Sequence, residues 1–268
     1  MSGTIRTTRE GHFAVITLAN PAKRNALSLD VLHELTAAFL AVAETDADGI
    51  IVAAEGPVFS AGHNFADMLI APHDVAETHA PTATPDSALE LFTTCSELMQ
   101  LMHRIPQPIV ARVHALATAA GCQLVASCDL AVASRSASFA LPGGKGGLFC
   151  HTPLVAVGRA LPPKRALEMA LTGDAIDADT ALAWGFVNSV VDDADLDRAV
   201  RDLLERATRG SRTSKALGKR TFWEQISLPE AAAYGFVSAV MADAAMSPAA
   251  QEGIAAFLEK RSPKFDGR

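Results

Sequence analysis

The sequence predicts an α/β fold followed by a wholly helical C-terminal region. Up to about residue 195, short apolar strand candidates alternate with helix candidates, which is typical of a parallel sheet covered by helices. Beyond that point the pattern is helical and is broken at Gly210, Pro229 and Pro248. The 268 residues contain no linker rich in Gly, Ser or Pro between two independent patterns. We therefore expect a core over residues 1–200 and a helical region over residues 201–268.

Hydrophobic spacing and capping residues predict the first elements. Residues 12–18 alternate in polarity as a strand does, and Asn20-Pro21 turns the chain. Ser28 is a natural N-cap for a helix that runs to about residue 44, with Asp30 in its first turn. The apolar positions of this helix recur at helical spacing: Val31, Leu32, Leu35, Phe39 and Val42.

The middle of the chain contains further strands and one long helix. Residues 49–54 form a short apolar run that predicts a buried strand. Residues 70–87 carry three prolines among Thr, Ala and Asp without any period, so we predict a mobile loop there. A helix then runs from about Ser87 to Arg104 and is closed by Pro106. Two more strands are predicted near residues 130–133 and 186–191.

Composition argues against several classes of partner. With 49% hydrophobic and 20% charged residues, the chain resembles an ordinary globular protein. Its net charge of −7 argues against binding to nucleic acid or to an anionic membrane. No apolar run approaches the ~18 residues of a membrane span. The residues Met1-Ser2-Gly3-Thr4 lack an apolar signal region, so we expect a cytoplasmic protein.

Neither the cysteines nor the histidines form a metal-binding pattern. The four cysteines, at positions 95, 122, 128 and 150, contain no Cys-x-x-Cys pair and lie mostly in apolar surroundings. This pattern predicts reduced core residues in a reducing compartment. The eight histidines show no His-x-x-x-His spacing, so we expect no metal site.

Two glycine-containing turns each follow a strand candidate and precede a helix candidate. They are Phe59-Ser60-Ala61-Gly62-His63-Asn64 and Ala117-Thr118-Ala119-Ala120-Gly121-Cys122-Gln123. A helix start leaves its first N–H groups unpaired and carries the positive end of the helix dipole. Two such ends converging would hold a negatively charged oxygen, as the polarisation of a carbonyl into an enolate requires. The alternative is that the small residues only allow strand and helix to pack closely.

Seven short segments, spread in order over nearly the whole chain, match the pattern of one family. They are Asn20-Pro21-Ala22-Lys23-Arg24-Asn25-Ala26-Leu27, Phe59-Ser60-Ala61-Gly62, Ala120-Gly121-Cys122-Gln123-Leu124, Ser127-Cys128-Asp129-Leu130-Ala131, Leu171-Thr172-Gly173, Ala181-Leu182-Ala183-Trp184-Gly185-Phe186-Val187 and Glu252-Gly253-Ile254-Ala255-Ala256-Phe257-Leu258-Glu259-Lys260-Arg261. Together they resemble the crotonase family, also called the enoyl-CoA hydratase/isomerase family. The resemblance implies a spiral of ββα units with C-terminal helices that trimerise. It also implies a homotrimer or a dimer of trimers.

The resemblance further implies a chemistry. Family members bind acyl-CoA thioesters and stabilise a thioester enolate with two backbone N–H groups. Carried over by position, these groups belong to His63 and Ala120, which lie in the two turns identified from the residues alone. CoA enters as part of the substrate thioester, so no separate cofactor is implied.

Nine positions match the CoA and substrate contacts of the family. They are Lys23, Arg24, Ala26, Ala61, Asn64, Phe65, Gly121, Phe257 and Lys260. Lys23 and Arg24 could pair with phosphates, and the alternative is two solvated surface cations. Phe257 and Lys260 match C-terminal positions that touch CoA, often across a subunit boundary. For Phe257 the alternative is a core or trimer contact.

The catalytic carboxylates of a family hydratase are absent. Such a hydratase binds one water with two glutamates, and the matching positions here hold Gln123 and Gly143. Gln123 can hydrogen-bond a water but cannot take its proton, and Gly143 has no side chain. Losing a positioned base typically costs on the order of 10²–10⁴ in rate. Hydration by the usual mechanism is therefore not supported, and the chain resembles a branch of the family that lacks the glutamate pair.

The segment after Pro142 offers other candidate groups. His151 falls where some relatives carry a catalytic aspartate, and a histidine can act as a general acid or base. The alternative is a polar pocket or interface residue. Cys150 would be a nucleophile only if its thiol were activated, and no base is evident nearby. The glycines at positions 143, 144, 146 and 147 lack the Gly-Lys-Ser/Thr ending of a P-loop.

Three further side chains are expected to have no role in catalysis. We expect the side chain of His63 to point outward, because its main-chain N–H is the functional group. We expect Asp129 to form a structural hydrogen bond and Asp67 to face solvent.

These residues are compatible with three functions. The leading hypothesis is an acyl-CoA-processing lyase or isomerase in which His151, Gln123 or an unidentified group moves the proton. The second is an acyl-CoA-binding protein with little or no catalysis, which the missing carboxylates favour. The third is a structural or partner-binding trimer.

Overall fold

A six-stranded sheet and a smaller three-stranded sheet organise the part of the chain that the structure describes, residues 3–70 and 83–265 of a computed structural model. The strands are β1 Ile5–Glu10, β2 Phe13–Leu18, β3 Gly49–Ala54, β4 Ile109–Val113, β5 Ala117–Thr118, β6 Leu130–Ser134, β7 Ser138–Ala140, β8 Ile176–Asp177 and β9 Ser189–Val191. The α-helices are α1 Leu29–Ala43, α2 Pro85–Arg104, α3 Ala120–Ser127, α4 His151–Ala160, α5 Pro163–Thr172, α6 Ala178–Trp184, α7 Leu196–Thr208, α8 Arg212–Gln225, α9 Glu230–Ala245 and α10 Pro248–Leu258. Short 3₁₀ helices cover Pro21–Lys23, Phe65–Met68, Pro142–Gly146 and Asp193–Asp195.

The large sheet is mostly parallel, as its apolar strands predict. Its strand order is β1-β2-β3-β4-β6-β9, and the small sheet has the order β5-β7-β8. In the large sheet β1 pairs antiparallel with β2, and each later neighbouring pair is parallel. The sequence does not predict β1, because its residues Ile-Arg-Thr-Thr-Arg-Glu are polar and five of the six are exposed. A strand without a buried face carries no hydrophobic alternation to detect.

Helix α1 begins where its capping residue predicts. The side chain of Ser28 accepts a hydrogen bond from the N–H of Val31 at 3.4 Å, and Asp30 lies in the first turn. The five apolar positions predicted to share one face are the buried residues of this helix.

Helix α2 begins at Pro85, two residues before the predicted start. Thr84 and Ser87 form a reciprocal capping box, with the Ser87 N–H 3.1 Å from Thr84 Oγ1 and the Thr84 N–H 2.9 Å from Ser87 Oγ. Most of the loop predicted at residues 70–87, namely residues 71–82, lies outside the described residues. Residues 85–87 are helical rather than part of a loop.

The two faces of the large sheet are covered by different helices. One face packs against α1 and α2 in the main core, where Phe39 and Phe139 are fully buried. Burying an aromatic or aliphatic side chain of this size stabilises the fold by about 1.5–3 kcal/mol. The opposite face is covered by α7 through Leu196, Val200 and Leu204. Residue 200, the expected end of the core, lies within this helix.

Helix α8 is anchored to the core by a half-buried ion pair. Lys219 Nζ lies 2.6 Å from Asp129 Oδ2 and donates to Gln107 O at 2.9 Å. Asp129 also accepts hydrogen bonds from the Ile109 N–H at 2.8 Å and from Trp223 Nε1 at 3.2 Å. Asp129 therefore has the structural hydrogen-bonding role predicted for it, and it links β4 to α8.

A stacked pair of rings adds a second contact between α8 and α2. The ring centroids of His103 and Trp223 are 3.6 Å apart, and their planes differ by 5°. Burial, with the charges of Lys219, Arg104 and Arg159, lowers the pKa of His103 to about 4. The His103 ring is therefore neutral at pH 7.

The C-terminal helices leave large apolar side chains exposed. Within the described residues, α8 and α9 contain no buried residue, and α10 buries Ala256. The exposed apolar residues of this region are Phe222, Ile226, Leu228, Tyr234, Met241, Met246, Ile254, Phe257 and Leu258. Such a surface is typical of a region that associates with another chain. None of the helices that the structure describes has the length and apolarity needed to cross a bilayer.

Candidate active site

The first turn follows β3 and is held by the buried side chain of Asn25. Asn25 Oδ1 accepts a hydrogen bond from the Asn20 N–H at 3.0 Å. Its Nδ2 donates to Glu55 O at 2.8 Å and to Val58 O at 3.0 Å. One side chain thus joins the segment after β2 to the segment after β3, and it fixes where the first turn begins.

Ser60 connects the Asn25 segment to Gly62 of the first turn. Ser60 Oγ donates to Asn25 O at 2.8 Å and accepts from the Gly62 N–H at 3.2 Å. The Ala61 N–H donates to Arg24 O at 3.0 Å. Gly62 has a φ of +84°, which a residue with a side chain rarely adopts. These bonds pair the N–H groups of Ala61 and Gly62. Within the described residues, the N–H of His63 donates to no protein acceptor.

The second turn joins β5 to α3 through a strained residue. The Thr118 N–H donates to Ser60 O, and the Ala119 N–H donates to Ala140 O, both at 3.0 Å. Ala119 has φ +50° and ψ −118°, a conformation that costs a residue with a Cβ about 1–3 kcal/mol. Ala120 is the first residue of α3, so its N–H has no acceptor within the helix.

The two turns lie directly against each other. A methyl group added to Gly62 would lie 2.9 Å from Ala119 Cβ and 3.1 Å from Ala120 N. A methyl group added to Gly121 would lie 2.6 Å from Ser60 O. Because neither glycine has a side chain, each turn can occupy the space where the Cβ of the other turn's residue would lie. Close packing and convergence occur together, so the two interpretations of the small residues do not exclude each other.

His63 and Ala120 each keep a main-chain N–H free at this contact. Among residues 3–70 and 83–265, neither N–H donates a hydrogen bond to a protein acceptor. Helix α3 adds the positive end of its dipole at Ala120. The convergence of the turns is observed, whereas their contact with a thioester oxygen stays a prediction.

The side chain of His63 is half-buried and turned toward the interior, so the expectation that it points outward is wrong. Its Nδ1 lies 3.1 Å from Leu27 O, and its ring meets that of Phe92 edge-on with centroids 5.3 Å apart. Leu27 is fully buried and pairs with His63 in an isolated β-bridge, which holds the ring inside. Burial lowers the pKa of His63, although the bond to Leu27 and the charge of Asp67 oppose this shift.

Asn64 and Asp67 form a small network next to the first turn. Asn64 caps the 3₁₀ helix Phe65–Met68 by accepting from the Ala66 N–H at 3.3 Å, and its Nδ2 donates to Asp67 Oδ1 at 2.8 Å. Asp67 Oδ2 also accepts from the Leu29 N–H at 3.4 Å. Asp67 is half-buried and links this segment to α1, so the expectation that it faces solvent is wrong. Phe65 is 77% exposed.

Gln123 is buried on α3 and faces α2. Its Oε1 lies 3.9 Å from the Sγ of Cys95, a weak donor. Cys95 lies one helical turn after Phe92, so Gln123 and His63 contact the same face of α2. Burial raises the pKa of the Cys95 thiol to about 12, so this neighbour supplies no base at neutral pH.

Position 143 has no space for a side chain. A methyl group added to Gly143 would lie 2.1 Å from Leu148 O and 2.8 Å from Cys150 Sγ. The Gly143 N–H donates to the same sulfur at 3.3 Å. A glutamate at this position would require the segment to be rebuilt. Burial also raises the pKa of the Cys150 thiol, which disfavours the hypothesis that it is a nucleophile.

His151 begins α4 and is exposed. Its ring lies 5.2 Å from that of Phe149. Within the described residues, its side chain forms no hydrogen bond or ion pair with either turn. The structure therefore brings His63 and Gln123 to one helix face and leaves His151 at the surface.

Lys23 and Arg24 lie beside the first turn and are exposed. Arg24 adopts a left-handed conformation with φ +52° after the 3₁₀ helix, and its carbonyl receives the bond from Ala61. Neither cationic side chain forms an ion pair among the described residues. Ala26 is half-buried next to them. Their contact with CoA phosphates stays a prediction.

Phe257 and Lys260 lie at the end of α10. Phe257 is 82% exposed, so it is not a core residue of the described chain, and its contact with CoA or with a second copy stays a prediction. Lys260 is exposed and adopts φ +54°.

Within the described residues, no group of three or more His, Cys, Asp or Glu side chains could hold a metal ion.

Three residues that shape the site were not predicted. Asn25 and Ser60 are polar residues within short, otherwise small or apolar segments, and that contrast is the signal that could have identified them as buried hydrogen-bonding groups. Phe92 has no such signal, because its contact with His63 depends on how α2 packs against the turns.

Comparison with known proteins agrees with this architecture. The model of the enoyl-CoA hydratase/isomerase family matches residues 8–268. Enoyl-CoA hydratase domain-containing protein 3, mitochondrial, of Rattus norvegicus is 47% identical over 249 residues, which cover 92% of this chain and 79% of that protein. The crystal structure of the human enoyl coenzyme A hydratase domain-containing protein 3 has a TM-score of 0.88 at 41% identity, covering 98% of this chain and 100% of that one. Carnitinyl-CoA dehydratase of Escherichia coli is 32% identical over 275 residues, which cover 100% of both chains.

These similarities confirm the predicted crotonase-like fold and correct the predicted location. The rat relative is named mitochondrial, which contradicts the expectation of a cytoplasmic protein. The expectation considered only an apolar secretory signal, whereas mitochondrial targeting uses amphipathic segments. The chain belongs to the enoyl-CoA hydratase/isomerase family.

Proposed function

We propose that this protein binds acyl-CoA thioesters and polarises the thioester carbonyl with the N–H groups of His63 and Ala120. The observation that carries the proposal is the direct contact of the two turns at Gly62, with both N–H groups free of protein acceptors in the described chain. Two aligned donors stabilise an enolate oxygen more than the ground-state carbonyl, because the charge develops in the transition state. Removal of one such donor typically costs about 3 kcal/mol of transition-state stabilisation.

The reaction is of the lyase or isomerase type, which enolate stabilisation serves. The proton-transfer group is neither a glutamate at 123 nor one at 143, since these positions hold an amide and a glycine. Gln123 can orient a water without taking its proton. His151 is a candidate base that substrate or a second copy would have to bring into the site.

CoA binding is proposed to use exposed residues from both ends of the chain. Lys23 and Arg24 beside the first turn are exposed cations without an ion pair among residues 3–70 and 83–265, so they are available to phosphates. Phe257 and Lys260 would contribute from a neighbouring copy in a homotrimer or a dimer of trimers. The exposed apolar side chains of α8 to α10 support such an assembly. Light scattering after gel filtration tests it, and a monomer would contradict it.

A second candidate function is acyl-CoA binding with little or no catalysis. The closed space at Gly143 favours it, because no water-activating side chain can occupy that position without rearrangement. A CoA-thioester panel scored by calorimetry and mass spectrometry separates the two candidates. Conversion of at least one thioester supports an enzyme, binding without any conversion supports the second candidate, and absence of binding contradicts both.

The role of His151 has its own test within the same panel. If His151 moves the proton, His151→Ala loses most turnover while its affinity for the thioester stays unchanged. Turnover equal to that of the unmodified protein would remove His151 from the mechanism.

A further inference from the structure

Lys260 adopts a backbone conformation that is costly for a residue with a side chain. In the part of the chain that the structure describes, four residues other than glycine have a positive φ: Arg24, Asn25, Ala119 and Lys260. The first three lie in the two turns or in the segment bonded to them. Lys260, with φ +54°, instead follows the end of α10. Strained residues of this kind persist where the surrounding structure holds them, and they are often functional.

The conformation of Lys260 belongs to the way in which α10 ends. The Arg261 N–H donates to Ala256 O at 2.9 Å, and the Lys260 N–H donates to Phe257 O at 3.2 Å. These two bonds form a Schellman motif, in which the residue at the position of Lys260 is left-handed and is usually glycine. Glycine would end the helix in the same way without a Cβ penalty, so the backbone gives no reason for a lysine here.

The carboxylate of Glu252 ties the residues after Lys260 back to α10. Arg261 Nη1 donates to Glu252 Oε1 at 2.6 Å, and Arg261 Nη2 donates to Oε2 at 2.9 Å. The Lys264 N–H donates to the same Oε1 at 2.7 Å. A bidentate pair of this kind fixes geometry as well as adding attraction. The hydrogen bonds from Arg261 and Lys264 lower the pKa of Glu252 to about 2, so the carboxylate is ionised at neutral pH.

Arg261 also pairs with the other carboxylate of this segment and leaves Lys260 without one. Its Nε lies 2.6 Å from Glu259 Oε2. Both acidic side chains of α10 and its C-cap, Glu252 and Glu259, are therefore paired with Arg261. Lys260 is exposed and forms no ion pair among residues 3–70 and 83–265. Its ammonium group is thus available to an anion that this part of the chain does not supply.

We propose that Glu252 and Arg261 are positioning residues, which hold Lys260 in its left-handed conformation and present its ammonium group to a phosphate of CoA. This inference rests on the proposed function, in which Lys260 contacts CoA. An ammonium group donates to phosphate oxygens, whereas a glycine at this position would complete the Schellman motif without that contact. The contact with the ligand then offsets the strain of the left-handed lysine.

Two substitutions separate the positioning residues from the lysine. Lys260→Gly keeps the backbone conformation and removes the cation. Glu252→Gln keeps the shape of the side chain and weakens its bidentate contact with Arg261. The double variant completes a cycle that measures whether the two residues act together. Glu168→Gln is the matched control, because it weakens an exposed ion pair with Arg165 on α5, which is not part of this segment.

The experiment measures dissociation constants by calorimetry for two probes, butyryl-CoA and S-butyrylpantetheine, which carries no phosphate. For butyryl-CoA, Lys260→Gly should weaken binding by about three- to tenfold and Glu252→Gln by about two- to threefold. The double variant should bind as Lys260→Gly does, and Glu168→Gln should bind as the unmodified protein does. None of these variants should change the affinity for S-butyrylpantetheine. Lys260→Gly should also raise the denaturation midpoint, because glycine is unstrained at this φ.

The outcomes separate this inference from the function beneath it. Losses of affinity that add in the double variant, or equal losses for both probes, overturn the positioning role and leave the proposed function standing. Unchanged binding of butyryl-CoA by Lys260→Gly or by Glu252→Gln also overturns it. Failure of butyryl-CoA to bind the unmodified protein contradicts the proposed function itself.

Discussion

The two turns present one free N–H each, but they are held in place by different means. The first turn uses a glycine at φ +84° and a chain of side-chain hydrogen bonds from Asn25 and Ser60. The second turn uses Ala119 at φ +50°, supported by main-chain bonds and by the start of α3. The first turn is thus unstrained and depends on named side chains, whereas the second is strained and depends on the elements around it.

This difference indicates where each turn can be disturbed. Side-chain substitutions should affect the first turn most, since its bonds belong to individual residues. The second turn should tolerate changes that relieve its strain. Both turns should fail when the space between them is filled, because each occupies volume that the other leaves open.

The largest effect is expected for Gly62→Ala, which disturbs both turns. The added methyl group would meet Ala119 and the Thr118 carbonyl at 2.9 Å, and the residue would have to keep a φ of +84°. We expect turnover to fall by at least about 10²-fold, as for loss of one oxyanion donor. Stability should fall by about 1–3 kcal/mol from backbone strain alone. Steady-state kinetics and urea denaturation measure the two effects.

Gly158→Ala is the matched control for this substitution. Gly158 lies within α4 and has an ordinary φ, and among the described residues no atom beyond its chain neighbours and the backbone of its own helix lies within 4 Å of the added carbon. It should keep full turnover and gain a little stability, since alanine favours a helix. Equal behaviour of the two variants would show that the turns do not need their close contact.

The next effect is expected for Asn25→Ala, which removes the side-chain hydrogen bonds that position the first turn and leaves the second turn unchanged. The substitution deletes three hydrogen bonds of a buried side chain. We expect a loss of about 2–4 kcal/mol in unfolding free energy, because three partly buried main-chain groups lose their partners. Asn188→Ala, which removes one bond to the Ala131 N–H at 2.8 Å elsewhere in the large sheet, should cost about 1 kcal/mol. A smaller loss of unfolding free energy for Asn25→Ala than for Asn188→Ala would contradict the claim that the Asn25 side chain positions the first turn.

A smaller effect should appear in the pH dependence of stability. The folded-state pKa of His63 is lowered, so the unfolded chain binds its proton first as the pH falls. The stability that the neutral ring contributes is complete above the ordinary histidine pKa of about 6.5 and is lost as the pH falls through the lowered value.

His63→Asn should therefore flatten the decline in unfolding free energy below about pH 6.5. The part contributed by His103, whose pKa is about 4, remains in both proteins and cancels in the comparison. Identical pH profiles for the two proteins would show that folding does not lower the pKa of His63.

The smallest effect is expected for Ala119→Gly in the second turn. Glycine adopts φ +50° without a Cβ penalty but loses more conformational entropy on folding. The net result should be a gain of about 1 kcal/mol in unfolding free energy with turnover unchanged. A loss of similar size, measured by urea denaturation, would mean that the second turn carries no strain.

The sequence predicts the fold wherever local chemistry and burial agree. Ser28 predicts the start of α1, and the prolines and glycine of the C-terminal region predict the breaks between its helices. The apolar runs predict the parallel strands. The polar edge strand β1 and the short strands of the small sheet lack a periodic signal. Their pairing depends on tertiary contacts that no short segment encodes.

The candidate site likewise combines features that the sequence predicts with features that it does not. The sequence predicts the two turns, because small residues between a strand candidate and a helix candidate indicate a tight turn without reference to distant segments. The orientation of the His63 ring is not visible, because it depends on Leu27 and Phe92 from distant segments. The sequence also records the missing glutamate at Gly143, but only the structure shows that Leu148 and Cys150 fill the space.

A crystal structure of the protein with bound butyryl-CoA tests most directly whether the two turns act together. We expect the thioester carbonyl oxygen to lie roughly 2.7–3.1 Å from both His63 N and Ala120 N. An oxygen more than about 3.5 Å from either nitrogen, or one held by a side chain instead, would contradict the account.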